Sequence, residues 1–241
     1  MKPVRDFVYW YLRKKRMAAV PVNQVSTFSS ALQRLKKRDI NLGTIIDVGA
    51  SNGSWTGAML PYYPDARYLC IEALPAHQPA LHAFVAAHPQ TEYVMCAAGE
   101  KEGEIGFEAT GDLFGGFVGN SGSPRTHITV PVATIDSLVA SRKLPPPYLI
   151  KLDTHGYELP ILDGARQTLE KTEVLIVEVY NFPGGPPAVS FYEFCRLMAA
   201  QGFRCMDLFD PHLRPHDQAL WQMDLIFLRD TRPEFQYTGY T

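Results

Sequence analysis

Thr44-Ile45-Ile46-Asp47-Val48-Gly49-Ala50-Ser51-Asn52-Gly53 is a short β-branched run that ends in a glycine-framed turn. β-Branched residues suit a pleated, buried strand. Gly49 permits the tight reversal, and Gly53 lets a ligand come close to the backbone. Trp55–Leu60 reads as a helix, so the unit is strand, glycine turn, helix. Outward from it, residues 67–71 form a second strand closed by Glu72. Residues 76–87 make an Ala-rich helix, and Tyr93–Ala97 a third strand. Strands alternating with helices in this way build a parallel α/β sheet.

The alternation pauses between Gly99 and Val132, where glycine is frequent. Glu104–Glu108 and Ile128–Val132 alternate apolar with polar residues, the pattern of an inserted β-hairpin around a loop at Gly111–Thr126. A helix over Ile135–Arg142 follows, then Pro145-Pro146-Pro147 and a buried strand over Tyr148–Leu152, with Asp153 at its carboxyl end. Next come a helix over Leu159–Thr168, a strand over Val174–Val179, a rigid loop over Pro183–Pro187 and a helix over Phe191–Gln201. Phe203–Phe209 and Asp224–Leu228 are the last strands. Their short link fits an antiparallel pair, because a parallel pair needs a crossover of about a dozen residues or more.

A chain of 241 residues with 46% hydrophobic composition suits one large domain, assigned to residues 41–241. Residues 1–40 read as a basic helical arm or lid, with ten Lys and Arg against Asp6 and Asp39. The remainder holds thirteen basic and twenty-three acidic residues. In the arm, residues 3–17 place Phe7, Tyr11 and Leu12 on one helical face, suited to packing as a lid or to peripheral contact with an anionic membrane. A second helix is expected over residues 27–39. The net charge of −2 implies no nucleic-acid partner. Cys70, Cys96, Cys195 and Cys205 lack CxxC spacing and read as buried thiols in a reducing compartment. No apolar run approaches the roughly 20 residues that span a bilayer, and no signal-peptide core is present, so a cytoplasmic enzyme is the expectation.

Open α/β sheets bind ligands at the carboxyl ends of strands, beside the point where strand order reverses. Glu72 stands nineteen residues after Gly53, where a carboxylate can take both hydroxyls of a ribose. The spacing of the turn is DxGxxxG, one glycine short of the GxGxxG fingerprint that holds a pyrophosphate. Asp47 at the strand tip is poorly placed for a pyrophosphate but suits an ammonium group. The pair therefore favours S-adenosylmethionine (SAM) over NAD, with a NAD-binding oxidoreductase as the competing reading.

Ile46–Thr56 resembles the first motif of the FkbM-type methyltransferase family. Ile71-Glu72-Ala73 and Cys96-Ala97-Ala98-Gly99-Glu100 resemble its second and third strand ends. Val132–Leu138 and Ile150-Lys151-Leu152-Asp153-Thr154-His155-Gly156-Tyr157-Glu158 resemble its most specific stretches. Val174–Glu178 and Trp221–Leu228 continue the match, which runs in order over roughly residues 44–229. The resemblance implies a class I methyltransferase fold, Rossmann-like, with a seven-stranded, mostly parallel sheet, its last strand antiparallel and helices on both faces. It also implies O-methylation of a sugar, glycan or secondary-metabolite hydroxyl. SAM contacts are expected at Asp47, Gly49, Ala50, Ser51, Asn52, Gly53, Glu72, Ala73, Ala97, Ala98 and Asp153. Ser51-Asn52 and Glu72-Ala73 depart slightly from the usual pattern and remove no charge the site needs.

An alcohol must lose its proton before it accepts a methyl group, so a general base is needed. His155, two residues past the end of the Asp153 strand, is the candidate, with substrate hydrogen bonding or helix capping as its other roles. Asp153 is a candidate to orient His155, to act as base or to contact the cofactor. Glu158 and Glu178 lie near by in the topology. The four together are also a candidate Mg²⁺ site, although no spacing demands a metal. Phe114, Phe117 and Trp221 are candidates for an acceptor pocket, and His212, Arg214, His216 and Asp217 read as a solvated turn. A non-catalytic module that kept the fold in glycan assembly is the remaining alternative.

Overall fold

The structure, a computed structural model, describes residues 26–109, 116–117, 126–183 and 187–239. The arm helix expected over residues 3–17 and Phe114 lie outside the described residues. In chain order the strands are β1 (Thr44–Val48), β2 (Arg67–Glu72), β3 (Thr91–Met95), β4 (Ala97–Ala98), β5 (Gly103–Ala109), β6 (Gly116–Phe117), β7 (Thr126–Ala133), β8 (Tyr148–Leu152), β9 (Thr172–Tyr180), β10 (Phe203–Leu213) and β11 (Leu220–Arg229). The helices are α1 (Phe28–Lys36), α2 (Ser54–Met59), α3 (Gln78–Ala87), α4 (Ile135–Arg142), α5 (Glu158–Asp163), α6 (Arg166–Glu170), α7 (Phe191–Ala200) and α8 (Pro233–Gln236).

Seven strands form the main sheet in the order β10-β11-β9-β8-β1-β2-β3. The pairs β1–β2, β1–β8, β2–β3 and β8–β9 are parallel, whereas β11 runs antiparallel to both of its neighbours. The chain steps outward from β1 to β3, then returns to lay β8 on the other side of β1. The order reverses between β1 and β8, and the crevice outside their carboxyl ends is where such sheets take ligands.

Strand alternation sorts the apolar side chains onto two faces. Ile46, Val48, Ile150, Leu152, Leu175 and Val177 face one core, with Ile135 of α4, Ile161 of α5 and Phe194 of α7. Ile45, Leu149, Val174, Ile176 and Ile226 face the other, with Leu32 and Leu35 of α1 and Met59 of α2. Both faces are therefore covered, as a parallel sheet requires.

Helix α1 was expected as the distal part of an arm, but it belongs to the body. Thr27 caps it in a reciprocal pair with Ser30. Ala31, Leu32 and Leu35 are buried, the spacing of one helical face. Arg34 grips Asp207 of β10 through Nε at 2.6 Å and Nη2 at 3.0 Å. Burying a leucine contributes about 1.5–3 kcal/mol, so this helix is fastened by more than its charges.

Four other expectations change. The helix expected over Leu159–Thr168 is broken into α5 and α6 at Gly164, where an added Cβ would stand 2.0 Å from the Gly99 carbonyl oxygen. Close backbone approach, not helical periodicity, decides that position. The insertion is larger than a hairpin: β5 and β7 pair antiparallel, and β4 and β6 flank them in a second sheet of order β4-β7-β5-β6. Ala97, expected in the third strand, belongs to that second sheet. Of the cysteines, Cys70 and Cys96 are buried, but Cys195 is half-buried and Cys205 exposed. No helix of the described residues is long and apolar enough to cross a membrane.

Candidate active site

A cavity of about 260 Å³ opens at the reversal point. Of the residues expected to hold a cofactor, Gly49, Ser51, Glu72, Ala73, Ala97, Ala98 and Asp153 line it. His155 and Glu178 line it as well.

Glu72 organises the rim. Its Oε2 accepts the Ser51 backbone N–H at 2.7 Å, and its Oε1 accepts that of Leu74 at 2.8 Å. One carboxylate thus ties the β1 loop to the β2 loop, and each oxygen keeps a lone pair for a further donor. Gly49 adopts φ +78, and a Cβ there would stand 2.2 Å from the Asp153 carbonyl oxygen. Only glycine lets β1 and β8 come together at this height. Gly53, at φ +84, begins α2, where a Cβ would meet the Phe84 ring at 2.7 Å. Its role is packing against α3, and it is absent from the cavity wall, as are Ala50 and Asn52. Ala50 is buried beside Leu81 and Cys70, and Asn52 accepts the Ser54 N–H at 3.1 Å.

Asp47 differs most from its expected place. It is 1% exposed and absent from the wall, because its position in β1 faces the α1–α2 side. Its Oδ2 accepts from Thr56 at 2.7 Å, and its Oδ1 lies 3.3 Å from Lys151 Nζ. The ammonium that Asp47 meets is the chain's own.

Lys151 opens a row of polar groups across that sheet face. It sits opposite Asp47 in register and also pairs with Asp153 Oδ2 at 3.1 Å. Glu178 of β9 stands opposite Asp224 of β11. Each lies two residues from a core side chain, Ile45, Leu149, Ile176 or Ile226, and so shares its face. Burial alone would lower the Lys151 pKa, but Asp47 and Asp153 more than reverse this and hold it raised. Asp153, whose burial acts upward, is held below the ordinary carboxylate value chiefly by Lys151 and His155. Burial, with Glu178 and Asp153 near by, pushes the Asp224 carboxyl up to about 8.

His155 occupies a strained turn. Its own φ is +53 and that of Gly156 is +102. Its Nδ1 lies 2.8 Å from the Tyr180 hydroxyl and 3.3 Å from Glu178 Oε2. Burial lowers its pKa, and Glu178, Asp153 and Glu158 outweigh that and raise it above the ordinary value. Glu158 closes the turn: its Oε1 accepts from Gly156 N–H at 2.9 Å and Thr154 Oγ1 at 3.1 Å. Burial raises the Glu158 pKa despite those bonds. It therefore shapes the loop more than it faces the cavity.

Asp153, His155 and Glu178 bring ligand atoms within 4.8 Å of one another, which is where the candidate Mg²⁺ site would fall. Each is engaged already: Asp153 with Lys151, His155 with Tyr180, and Glu178 with Tyr180 and Gln222. Lys151 supplies the counter-charge that a metal would bring, so the set fits an ion-pair network better than a cation cage.

The expectations omitted Leu74, His77, Tyr157 and Ile161 of the wall, and Lys151 and Tyr180 of the network. Period-two counting from Ile176 would have placed Tyr180 beside Glu178. Nothing local marks His77 or Ile161. Beyond the network, Trp221 stacks on Phe182 with centroids 6.0 Å apart, and Arg214 covers the Phe182 ring at 4.2 Å. Arg214 also pairs with Asp217 at 2.5 Å. The side chain of Phe117 lies outside the described residues.

The family model of the methyltransferase FkbM domain matches residues 47–205. Among solved structures, the chain is similar to methyltransferase FkbM from Methylobacillus flagellatus KT, at 18% identity and TM-score 0.53 over 78% of this chain. It spans 44% of that protein's length. It is also similar to the O-methyltransferase TomG from Streptomyces achromogenes, solved with SAM, at 12% identity and TM-score 0.48 over 90% of this chain and 86% of that one. Cofactor-bound Rv0187 from MTB matches at 13% identity and TM-score 0.49 over 88% and 81%. No curated protein matches the sequence.

Proposed function

The chain belongs to the FkbM methyltransferase family, and on that premise we propose that it transfers a methyl group from SAM to a hydroxyl oxygen of a sugar, glycan or secondary metabolite. SAM, when bound, supplies an electrophilic methyl group on a sulfonium. The observation that carries the reading is a shared cavity: Glu72 at one rim and His155 at the other. Glu72 has the geometry to take ribose hydroxyls while it braces Ser51 and Leu74. Gly49, Ala73, Ala97 and Ala98 offer close backbone and small side chains where an adenosine would lie. Asp153, at the reversal point, is the candidate for the amino acid end, and Asp47 supports it indirectly through Lys151.

His155 would take the proton of the acceptor hydroxyl. General bases of this kind contribute about 10²–10⁴-fold. Because its pKa is raised, the ring is protonated at the acid side and must lose that proton to act. Much of the remaining catalysis is alignment of the acceptor oxygen behind the methyl carbon. The Phe182–Trp221 stack beside Tyr180 offers apolar ring faces of the type that pack against the C–H face of a sugar. The amphipathic stretch at residues 3–17 is proposed to contribute peripheral membrane contact or a lid, and the protein is proposed to be cytoplasmic.

The test is transfer of radiolabelled methyl from SAM to a panel of glycosides and hydroxylated natural products. The reading expects label on oxygen with at least one glycoside, lost in His155→Ala. Label on nitrogen or carbon only would refute O-methylation.

A further inference from the structure

Tyr180 is the last residue of β9 and two positions beyond Glu178, so both side chains leave the same face of the sheet. Its hydroxyl touches Glu178 on one side and His155 on the other. The proton arrangement follows from donor counting. Gln222 donates its amide to Glu178 Oε1, and the Tyr180 O–H donates to Oε2. A phenol has one proton. With that proton committed to Glu178, the lone pairs of the Tyr180 oxygen face His155, whose Nδ1 lies 2.8 Å away. Only an Nδ1 that carries hydrogen satisfies that contact.

We propose that Tyr180 is a positioning residue that accepts the Nδ1–H of His155, donates its own O–H to Glu178, and so makes Nε2 the basic nitrogen of the neutral ring. The proposal rests on the reading of His155 as the base. Which ring nitrogen bears the proton is set by the partner of the other. Two further features hold the ring there. His155 has a left-handed backbone while its ring meets Tyr180 of β9, and such outliers in non-glycine residues cost about 1–3 kcal/mol, which surrounding contacts must offset. Gly156 is pressed from the far side, since a Cβ would stand 2.6 Å from that of Ala188.

The groups facing His155 are Asp153 at the end of β8, with Lys151 behind it, and Glu158 of α5. From the other side come Glu178 and Tyr180 of β9, with Asp224 of β11 opposite Glu178. Burial first, and Glu178 second, raise the Tyr180 pKa, so the phenol keeps the proton it donates. The Tyr180 hydroxyl is the nearer partner of Nδ1, at 2.8 Å, and Glu178 Oε2 the farther, at 3.3 Å. Without the hydroxyl, Glu178 takes Nδ1–H directly and favours the imidazolium. Without the carboxylate charge, the imidazolium loses its main support.

Two variants read this in opposite directions. In Tyr180→Phe the acidic limb of kcat/KM moves to higher pH. Turnover falls about tenfold near neutrality and recovers as pH rises, while affinity for S-adenosylhomocysteine is kept. In Glu178→Gln the limb moves to lower pH. Nitrogen-15 NMR of His155 in the wild-type protein should show the neutral ring as the Nδ1–H tautomer, a readout independent of turnover. A wild-type Nε2–H tautomer overturns the proposal. So does a turnover loss in Tyr180→Phe that is the same at every pH, or a limb that moves the same way in both variants. If His155→Ala keeps full turnover, the base reading fails instead, and the NMR result still decides whether Tyr180 sets the tautomer.

Discussion

At the carboxyl ends of β1 and β2 the cavity is framed by backbone turns braced on one carboxylate, Glu72, whereas at the ends of β8 and β9 it meets a coupled set of titratable side chains. On the first side, Glu72 is braced by two N–H groups, and Gly49 lets the chain pass so close to the end of β8 that an added Cβ would stand 2.2 Å from the Asp153 carbonyl oxygen. On the second, Lys151, Asp153, His155, Glu178 and Tyr180 hold one another. Preformed backbone suits binding of an invariant cofactor, because it loses little entropy on binding. A coupled set of ionisable groups suits proton transfer, because small changes of contact move its pKa values. The comparison teaches a division of labour: binding on one side of the reversal point, proton handling on the other.

That division can be broken at four places. His155→Ala should cost turnover about 10²–10⁴-fold with S-adenosylhomocysteine affinity unchanged; a matching loss of affinity, measured by calorimetry, would erase the division. Asp47→Ala should act on neither binding nor proton transfer directly. It leaves Lys151 short of a buried partner, and breaking such pairs costs about 3–5 kcal/mol, toward the lower end here because Asp153 remains. Denaturant unfolding would show it, and an unchanged midpoint would contradict the structural role. Glu72→Ala removes two acceptors from the binding side, each worth about 1.5–3 kcal/mol. Affinity for S-adenosylhomocysteine should drop about 10²–10⁴-fold, and a residual activity at saturating SAM with an unshifted pH profile would sharpen the contrast.

The smallest effect is expected at Asp224. Its folded pKa is raised to about 8 from 3.8. The stability linked to its proton is complete below the ordinary carboxylate value and is lost as pH rises through about 8. Asp224→Asn should therefore raise the melting temperature by a few degrees above pH 8 and leave it nearly unchanged at pH 4. The opposite ordering would mean that the carboxyl is ionised at neutrality. For His155 the raised value places the acidic limb of kcat/KM above 6.5.

The binding side was the more legible in sequence. Thr44–Gly53 and Glu72 are local signals: a β-branched run, two glycines and a carboxylate at fixed spacing. Yet Asp47 was misplaced, because strand alternation turns it to the face where Lys151 waits a hundred residues later in the chain. The proton side was only half legible. Asp153, His155 and Glu178 could be named from strand ends, but Tyr180 reads as one more aromatic at the end of an apolar strand. Its role depends on the left-handed turn at His155, which no spacing announces. The split of α5 from α6 was hidden for a similar reason, since Gly164 is fixed by the Gly99 carbonyl of another element. Helix α1 is legible as a helix but was grouped with the basic arm, and its buried Ala31, Leu32 and Leu35 fasten it to the body instead.

The most direct test is calorimetric titration of the protein with S-adenosylhomocysteine, beside Glu72→Ala and an NADH control. Micromolar binding by the wild-type protein, none of NADH, and strong loss in Glu72→Ala is the expected result. Wild-type affinity in Glu72→Ala, or binding of NADH in place of S-adenosylhomocysteine, would contradict the assignment of this cavity.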